Sequence, residues 1–224
     1  MYRLSGRYGA RDGVSLNGSR RMNVVSEVTE AGSRGLLLAV IGPSGSGKDT
    51  LIRLAREAFS GDAKVLFVRR TVTREADRGA EDHDTLTPAD FGEVERNGEF
   101  AVTWDAHGLR YGLPSGALSF VNAGGIAVAN CSRRAMATVM AVFPQVRLIR
   151  LHADAEILAR RLANRGREPL EEIRARVSRT VEETEALEKV VLIDNSGPLE
   201  DAAEAFIDVI AAARRDIDRL CGSS

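Results

Sequence analysis

The chain of 224 residues is 44% hydrophobic and 28% charged with a formal net charge of −1, which suits one medium-sized domain with a well-solvated surface. That balance argues against a general nucleic-acid binder, which would be basic, and no apolar run approaches the roughly 18 residues of a bilayer span. The two cysteines, Cys131 and Cys221, lie far apart and make no metal-like spacing with the histidines, so a reducing, cytoplasmic setting is expected.

Residues 1–34 are rich in Gly, Ser and Arg without apolar periodicity. They read as a disordered extension without the apolar core of a secretory signal, and Met22 is an alternative start. Over residues 35–214 strand-like and helix-like segments alternate. "LLLAVIG" is a continuous apolar strand, and "TLIRLAREAF" after Lys48 repeats at helical spacing. "KVLFVRR" reads as a second strand. Thr87-Pro88 offers a helix start, with a capping hydroxyl, proline at the first helical position and Asp90 in the first turn. "GEFAVTWDAHGLRYGLP" predicts short strands around a Gly-containing turn. "GGIAVAN" and "VRLIRLHA" are strands flanking the helix-like "SRRAMATVMAVF". "DAEILARRLANRG" predicts a helix capped by Asp154 and ended near Gly166, followed by a longer polar helix in "PLEEIRARVSRTVEETEALEK". "VVLIDN" is the last strand and "PLEDAAEAFIDVIAAARR" the last, amphipathic helix, leaving residues 215–224 as a C-terminal tail. Apolar strands separated by helices imply a three-layer α/β fold with a parallel sheet covered on both faces, and small excursions near residues 70–114 and 154–188.

The stretch "GPSGSGKDT", Gly42, Pro43, Ser44, Gly45, Ser46, Gly47, Lys48, Asp49 and Thr50, follows a strand and opens a helix. Its glycines let backbone N–H groups turn toward a phosphate chain, the helix adds its positive dipole end, and Lys48 adds a mobile charge. Asp49 stands where the pattern expects a hydroxyl. Two readings stand side by side: an acid favoured by the helix dipole, or a carboxylate helping to hold magnesium, with Thr50 as the other candidate for the metal. A carboxylate beside a triphosphate is repelled unless a cation lies between them.

Two arginine clusters complete the pattern. "VRRTVTREADRG" holds Arg69, Arg70, Arg74 and Arg78, suited to an acceptor phosphate. "ARRLANRGRE" holds Arg160, Arg161, Arg165 and Arg167, with Arg161 and Arg165 one turn apart, as a helical lid over a transferring phosphoryl group would require. Ordinary solvated surface remains the alternative for each.

In this order the clusters resemble the guanylate kinase-like branch of the P-loop kinases, across most of residues 36–212. The resemblance implies a P-loop kinase fold with a helical lid and a small acceptor-binding excursion. It also implies ATP and Mg2+ as the donor pair, Arg74 and Tyr111 on the acceptor's phosphate, Arg161 and Arg165 on the transferring phosphate, and Asn195 near the adenine. Departures gather where guanine would be read. Val102 stands in place of a glutamate and Arg70 in place of a serine; Asp77 replaces an arginine with Arg78 next to it, and His83 replaces a tyrosine. A valine cannot accept hydrogen bonds from guanine. The segments "GPSGSGKD", "FVRRTVTR", "RLANRGRE" and "VANCSRR" resemble the ribose 1,5-bisphosphate phosphokinase family of phosphonate catabolism. That implies a small sugar bisphosphate as acceptor, 5-phosphoribosyl 1-diphosphate as product, and Asn130 and Arg133 as further substrate contacts. A structural turn with a serine cap accounts equally well for Asn130 and Ser132. His107 and Trp104 are weaker pocket candidates.

Overall fold

Six consecutive apolar residues suit a strand buried on both faces, and Leu36–Ile41 form that strand in the computed structural model, which describes residues 35–73, 83–163 and 190–222. The elements run β1 (Leu36–Ile41), α1 (Lys48–Ala58), β2 (Val65–Val68), β3 (Arg70–Val72), β4 (His83–Thr85), α2 (Pro88–Arg96), β5 (Phe100–Ala106), β6 (Leu109–Pro114), α3 (Ser115–Asn122), β7 (Ile126–Asn130), α4 (Met136–Val142), β8 (Val146–His152), α5 (Ala155–Ala163), β9 (Val190–Asp194) and α6 (Leu199–Gly222). The second apolar helix-like segment opens with a 3-10 turn, Arg133–Ala135, ahead of α4.

Five strands form a parallel sheet in the order β2-β7-β1-β8-β9. Alternation along β1 sorts the core into two layers. Leu36, Leu38 and Val40 share one cluster with Ile52 and Ala55 of α1 and Phe206 and Ile210 of α6. Leu37, Ala39 and Ile41 share the other with Val121 of α3, Val139 of α4 and the apolar side of a second sheet. Three layers follow, as the sequence predicts. Among the described residues no helix is long and apolar enough to cross a membrane.

The second sheet was only partly foreseen. "KVLFVRR" is two strands: β2 ends at Val68, exposed Arg69 passes between, and β3 enters a four-stranded sheet ordered β4-β3-β6-β5. Arg69 leaves the parallel ladder, its exposed guanidinium pairs with Asp84 of β4 at 2.8 Å, and the chain changes partners within one residue. The Gly-containing turn is a two-residue hairpin, His107-Gly108, with φ of 53° and 74° between paired Ala106 and Leu109. That double positive φ matches the twist of a type I′ turn. Helix α3, which carries Gly116 and a β-branched residue, was not expected from propensity. It forms because Ala117 and Val121 bury against the second core layer.

Helix α2 begins as predicted. The Thr87 Oγ1 accepts the Asp90 backbone N–H at 3.2 Å, with Pro88 at the first helical position. Its Glu95 receives both bonds of the Arg110 guanidinium, at 2.8 and 2.7 Å, and the Thr103 hydroxyl at 2.9 Å. The Arg110 hydrogen bonds, then that from Thr103, hold the Glu95 carboxyl below the ordinary glutamate range. A depressed carboxyl contributes stability that is present above its unfolded-state pKa and lost as pH falls through the folded one. Glu95→Gln is therefore expected to lose less stability than the parent protein on acidification, as read by thermal melts stepped from neutral pH to below the glutamate range.

At the C-terminus the expected tail is a correction. Helix α6 continues to Gly222, and Ile217 is buried in the α1-side core. Arg214 bonds Asp62 at 3.2 Å and pairs with Asp218, while Lys64 reaches Asp218 at 3.0 Å, so the helix end is fastened to the start of β2. Residues 1–34 and the polar helix expected at 169–189 lie outside the described residues.

Candidate active site

The loop between β1 and α1 turns on glycines that other residues could not replace. Gly45 and Gly47 have φ of 83° and 91°, and Gly47 caps α1 in the left-handed region. A Cβ at Gly42 would stand 2.6 Å from the Leu151 carbonyl oxygen, and one at Gly47 would stand 2.3 Å from the Asn195 Nδ2. The first backbone bond of α1 runs from Leu51 N–H to the Gly47 carbonyl at 3.0 Å. The N–H groups of a helix's first turn are left without intrahelical acceptors, which suits such a helix start to a phosphate. The Lys48 Nζ donates to the carbonyls of Gly42 and Pro43, both at 2.9 Å, which holds its charge at the loop's mouth. Gly47→Ala is expected to cost about 1–2 kcal/mol of stability from the left-handed backbone alone. Denaturant titration checks that figure, and displacement of Asn195 adds to it.

Asn195 is 1% exposed. Its Nδ2 donates to the Ser46 carbonyl at 2.8 Å and its backbone N–H to the His152 carbonyl at 2.8 Å. With these two bonds Asn195 ties the loop to the end of β8, and its place near an adenine stays what the resemblance implies.

Asp49 makes a contact that sequence reading did not foresee. Its Oδ1 accepts the Asn130 Nδ2 at 2.8 Å, tying the first turn of α1 to the end of β7. Asn130 is 8% exposed, and its Oδ1 has no partner among the described residues. The buried hydroxyls of Ser46 and Ser132 and the Asn195 Oδ1 are likewise without a partner there. An unsatisfied buried polar group costs on the order of 1–3 kcal/mol, so such a grouping around one loop marks a place prepared for a ligand or water. Thr50 follows, half-buried, in the same turn.

Across from the loop, the second sheet presents a layered stack. Trp104 lies parallel to Tyr111, with centroids 5.4 Å apart and an angle of 9°, and the Arg70 guanidinium sits 5.3 Å from the Tyr111 ring centroid. Trp104 is buried in the core under Tyr111 and so forms the wall behind the stack, not a sugar platform. Burial pushes the Cys131 thiol up to about 12, with the Arg70 charge opposing that shift. Val102 is 3% exposed and faces Leu113 across the ladder, so the position of the guanine-reading carboxylate is closed and apolar. His83 pairs in register with Arg70 and is half-buried, whereas His107 is exposed at the hairpin tip, outside this stack. Arg133 lies in the 3-10 turn three residues past Asn130.

Helix α5 divides the second arginine cluster. Arg160 forms an exposed i,i+4 pair with Glu156 at 3.2 Å, the ordinary surface role. Arg161 turns the other way, its Nη1 reaching the Gly45 carbonyl at 3.5 Å. Leu162 of the same helix lies over Gly45, 3.2 Å from where a Cβ would stand. This apolar seat was missed because leucine on a helix signals core without saying which surface it covers. Arg74, Arg78 and Arg165, together with Arg167, lie outside the described residues.

The arrangement collects a phosphate cradle, a lysine, one carboxylate beside a hydroxyl, and arginines arriving from two sides. Among the described residues no group of three or more His, Cys, Asp or Glu side chains forms a metal site. A cation here would depend on oxygens brought by the phosphates, as magnesium commonly does.

No family model matches the chain. A ribose 1,5-bisphosphate phosphokinase of Brucella melitensis is 45% identical over 174 residues, which cover 78% of this chain and 91% of that protein. One of Rhizobium etli is 44% identical over 177 residues, covering 79% of this chain and 90% of that protein. The crystal structure of a guanylate kinase from Anaplasma phagocytophilum aligns with a TM-score of 0.57 at 20% identity, covering 82% of this chain and 87% of that one, a likeness that concerns the fold alone.

Proposed function

Since the chain belongs to the ribose 1,5-bisphosphate phosphokinase family, we propose that it transfers the γ-phosphoryl group of ATP to the 1-phosphate of ribose 1,5-bisphosphate, in the cytoplasm. An oxygen of the acceptor's 1-phosphate forms the new bond to phosphorus as the bond to the β-phosphate oxygen breaks, giving 5-phosphoribosyl 1-diphosphate and ADP. A phosphate acceptor is already largely ionised at neutral pH, so no strong general base is required and catalysis is positioning and electrostatics.

The single observation that carries the choice of acceptor is the pairing of a closed Val102 with an Arg70 stacked on Tyr111. The wall offers nothing to a base edge and a fixed cation to a phosphate. Residues 42–50 hold the donor's phosphates, with Lys48 following the β- and γ-oxygens. Magnesium, when bound, would supply positive charge to offset that of the phosphates. Asp49, Thr50 or both would hold it, and the unpaired Asn130 Oδ1 fits a water on such an ion. Arg161 approaches the transferring group from α5, with Arg165 assigned beside it. Arg70, Arg74, Arg78, Tyr111, His83 and Arg133 are assigned to the acceptor, whereas Asn130, a substrate contact by the resemblance, is turned to Asp49 instead.

A coupled ADP-release assay with ribose 1,5-bisphosphate, GMP and other nucleoside monophosphates tests the assignment. Turnover of the bisphosphate well above that of GMP is expected. Comparable turnover of GMP would overturn the choice of acceptor, and inactivity with every acceptor would overturn the kinase reading.

A further inference from the structure

In P-loop enzymes of the NTPase type, magnesium is held by a hydroxyl following the loop lysine and by an aspartate from a neighbouring strand. Both positions can be located here. The residue after Lys48 is Asp49, and one of the two strands beside β1 is β7, whose last residue, Asn130, lies in register with Val40 just before the loop. The loop thus carries the carboxylate and the strand the neutral group. The two touch, Asn130 Nδ2 to Asp49 Oδ1 at 2.8 Å, although 81 residues separate them in sequence.

We propose that Asp49 and Asn130 are a transposed pair, in which the cation-facing carboxylate has moved to the loop and its neutral positioning partner to the strand. The inference rests on the kinase reading above and deepens it. Three observations support it. An ionised carboxylate only accepts hydrogen bonds, so Asn130 must turn its amide NH2 toward Asp49, and this fixes the direction of the Asn130 Oδ1. That oxygen is buried and has no partner among the described residues, as expected of an acceptor kept for a water on a bound ion. The charge count is also conserved: the pair carries one carboxylate, as in the untransposed arrangement. Asparagine at position 130 follows from the same count, since an aspartate there would set two carboxylates at hydrogen-bonding distance. Helix-dipole stabilisation of Asp49 requires none of these features.

The test is a reciprocal exchange read by equilibrium binding, with Mn2+ as the paramagnetic probe and ATP as the nucleotide. Electron paramagnetic resonance follows Mn·ATP binding to the parent protein, Asp49→Ser, Asn130→Asp and the double variant. Each single change is expected to weaken Mn·ATP binding about tenfold or more, in the range for residues that orient metal ligands, with the double variant returning to within about threefold of the parent. A double variant as weak as the worse single one, or single variants that bind like the parent, would overturn the transposition. Loss of Mn·ATP binding by the parent protein would overturn the kinase reading itself. A second variant guards against a folding defect. Asp49→Asn is expected to weaken Mn·ATP binding while metal-free ATP, measured in chelator, binds as well as or better than to the parent, because the repelling charge is gone. Equal losses with and without metal would mark Asp49 as purely structural and overturn the proposal.

Discussion

Replacing Lys48 with methionine is expected to lower kcat/KM by about 10³-fold, with the loss falling chiefly on kcat. Methionine keeps the length and apolar stem of the side chain, so the loop retains its filling. It loses the ammonium held by the Gly42 and Pro43 carbonyls at 2.9 Å. That charge sits at the mouth of a cradle whose other donors are neutral N–H groups, so nothing else in the loop can balance charge moving onto the β–γ bridging oxygen. Single-turnover measurements separate chemistry from binding. A loss confined to KM would show that Lys48 binds ground and transition states alike, contrary to its assigned role.

Arg70→Ser carries the second large effect, about 10²-fold in kcat/KM for the bisphosphate with KM for ATP within about twofold of the parent. The guanidinium is held over Tyr111, which is itself stacked on buried Trp104, so its position is set before any ligand arrives. An anchored guanidinium loses little freedom on binding phosphate, which makes the removed interaction larger than that of a free surface arginine. Arg70→Lys, with a charge but no planar fork, should fall between. Equal losses for both substrates in steady-state assays would count against a specific acceptor role.

Much of this was legible in the sequence, for identifiable reasons. Long elements with a clear period were readable: the unbroken "LLLAVI" announces a doubly covered strand, and Thr87-Pro88 with Asp90 announces a capped helix. The phosphate loop was readable because glycine and lysine spacing lies within nine residues. The second sheet was harder, since β3 and β4 have three residues each, too few to show alternation. Residues 69 and 70 belong to different environments without any change of residue type. The length of α6 was in fact available: Ile210, Ala213 and Ile217 continue one buried face past the point where the helix was expected to end. What no local pattern contains is contact at a distance. Neither the bond from Asn130, at the end of β7, to Asp49 nor that from Asn195 to the Ser46 carbonyl is visible in any local spacing.

The joint at Arg69 has a mechanical consequence. The chain enters the acceptor sheet there and leaves it at Pro114, and the β3–β6 register, Thr71 opposite Gly112 and Val72 opposite Tyr111, brings both crossings to the same end of the sheet. Two covalent pivots on one line would let the sheet swing like a door, carrying the His107 tip, seven residues from Pro114, along an arc about 23 Å from the pivots. What latches the door is the row Val102, Trp104 and Ala106 along β5, buried in the same core as α3 and α4. Opening would uncover Trp104, at a cost of about 3 kcal/mol for that side chain alone. The second sheet therefore stands as a fixed jamb, held by its own core.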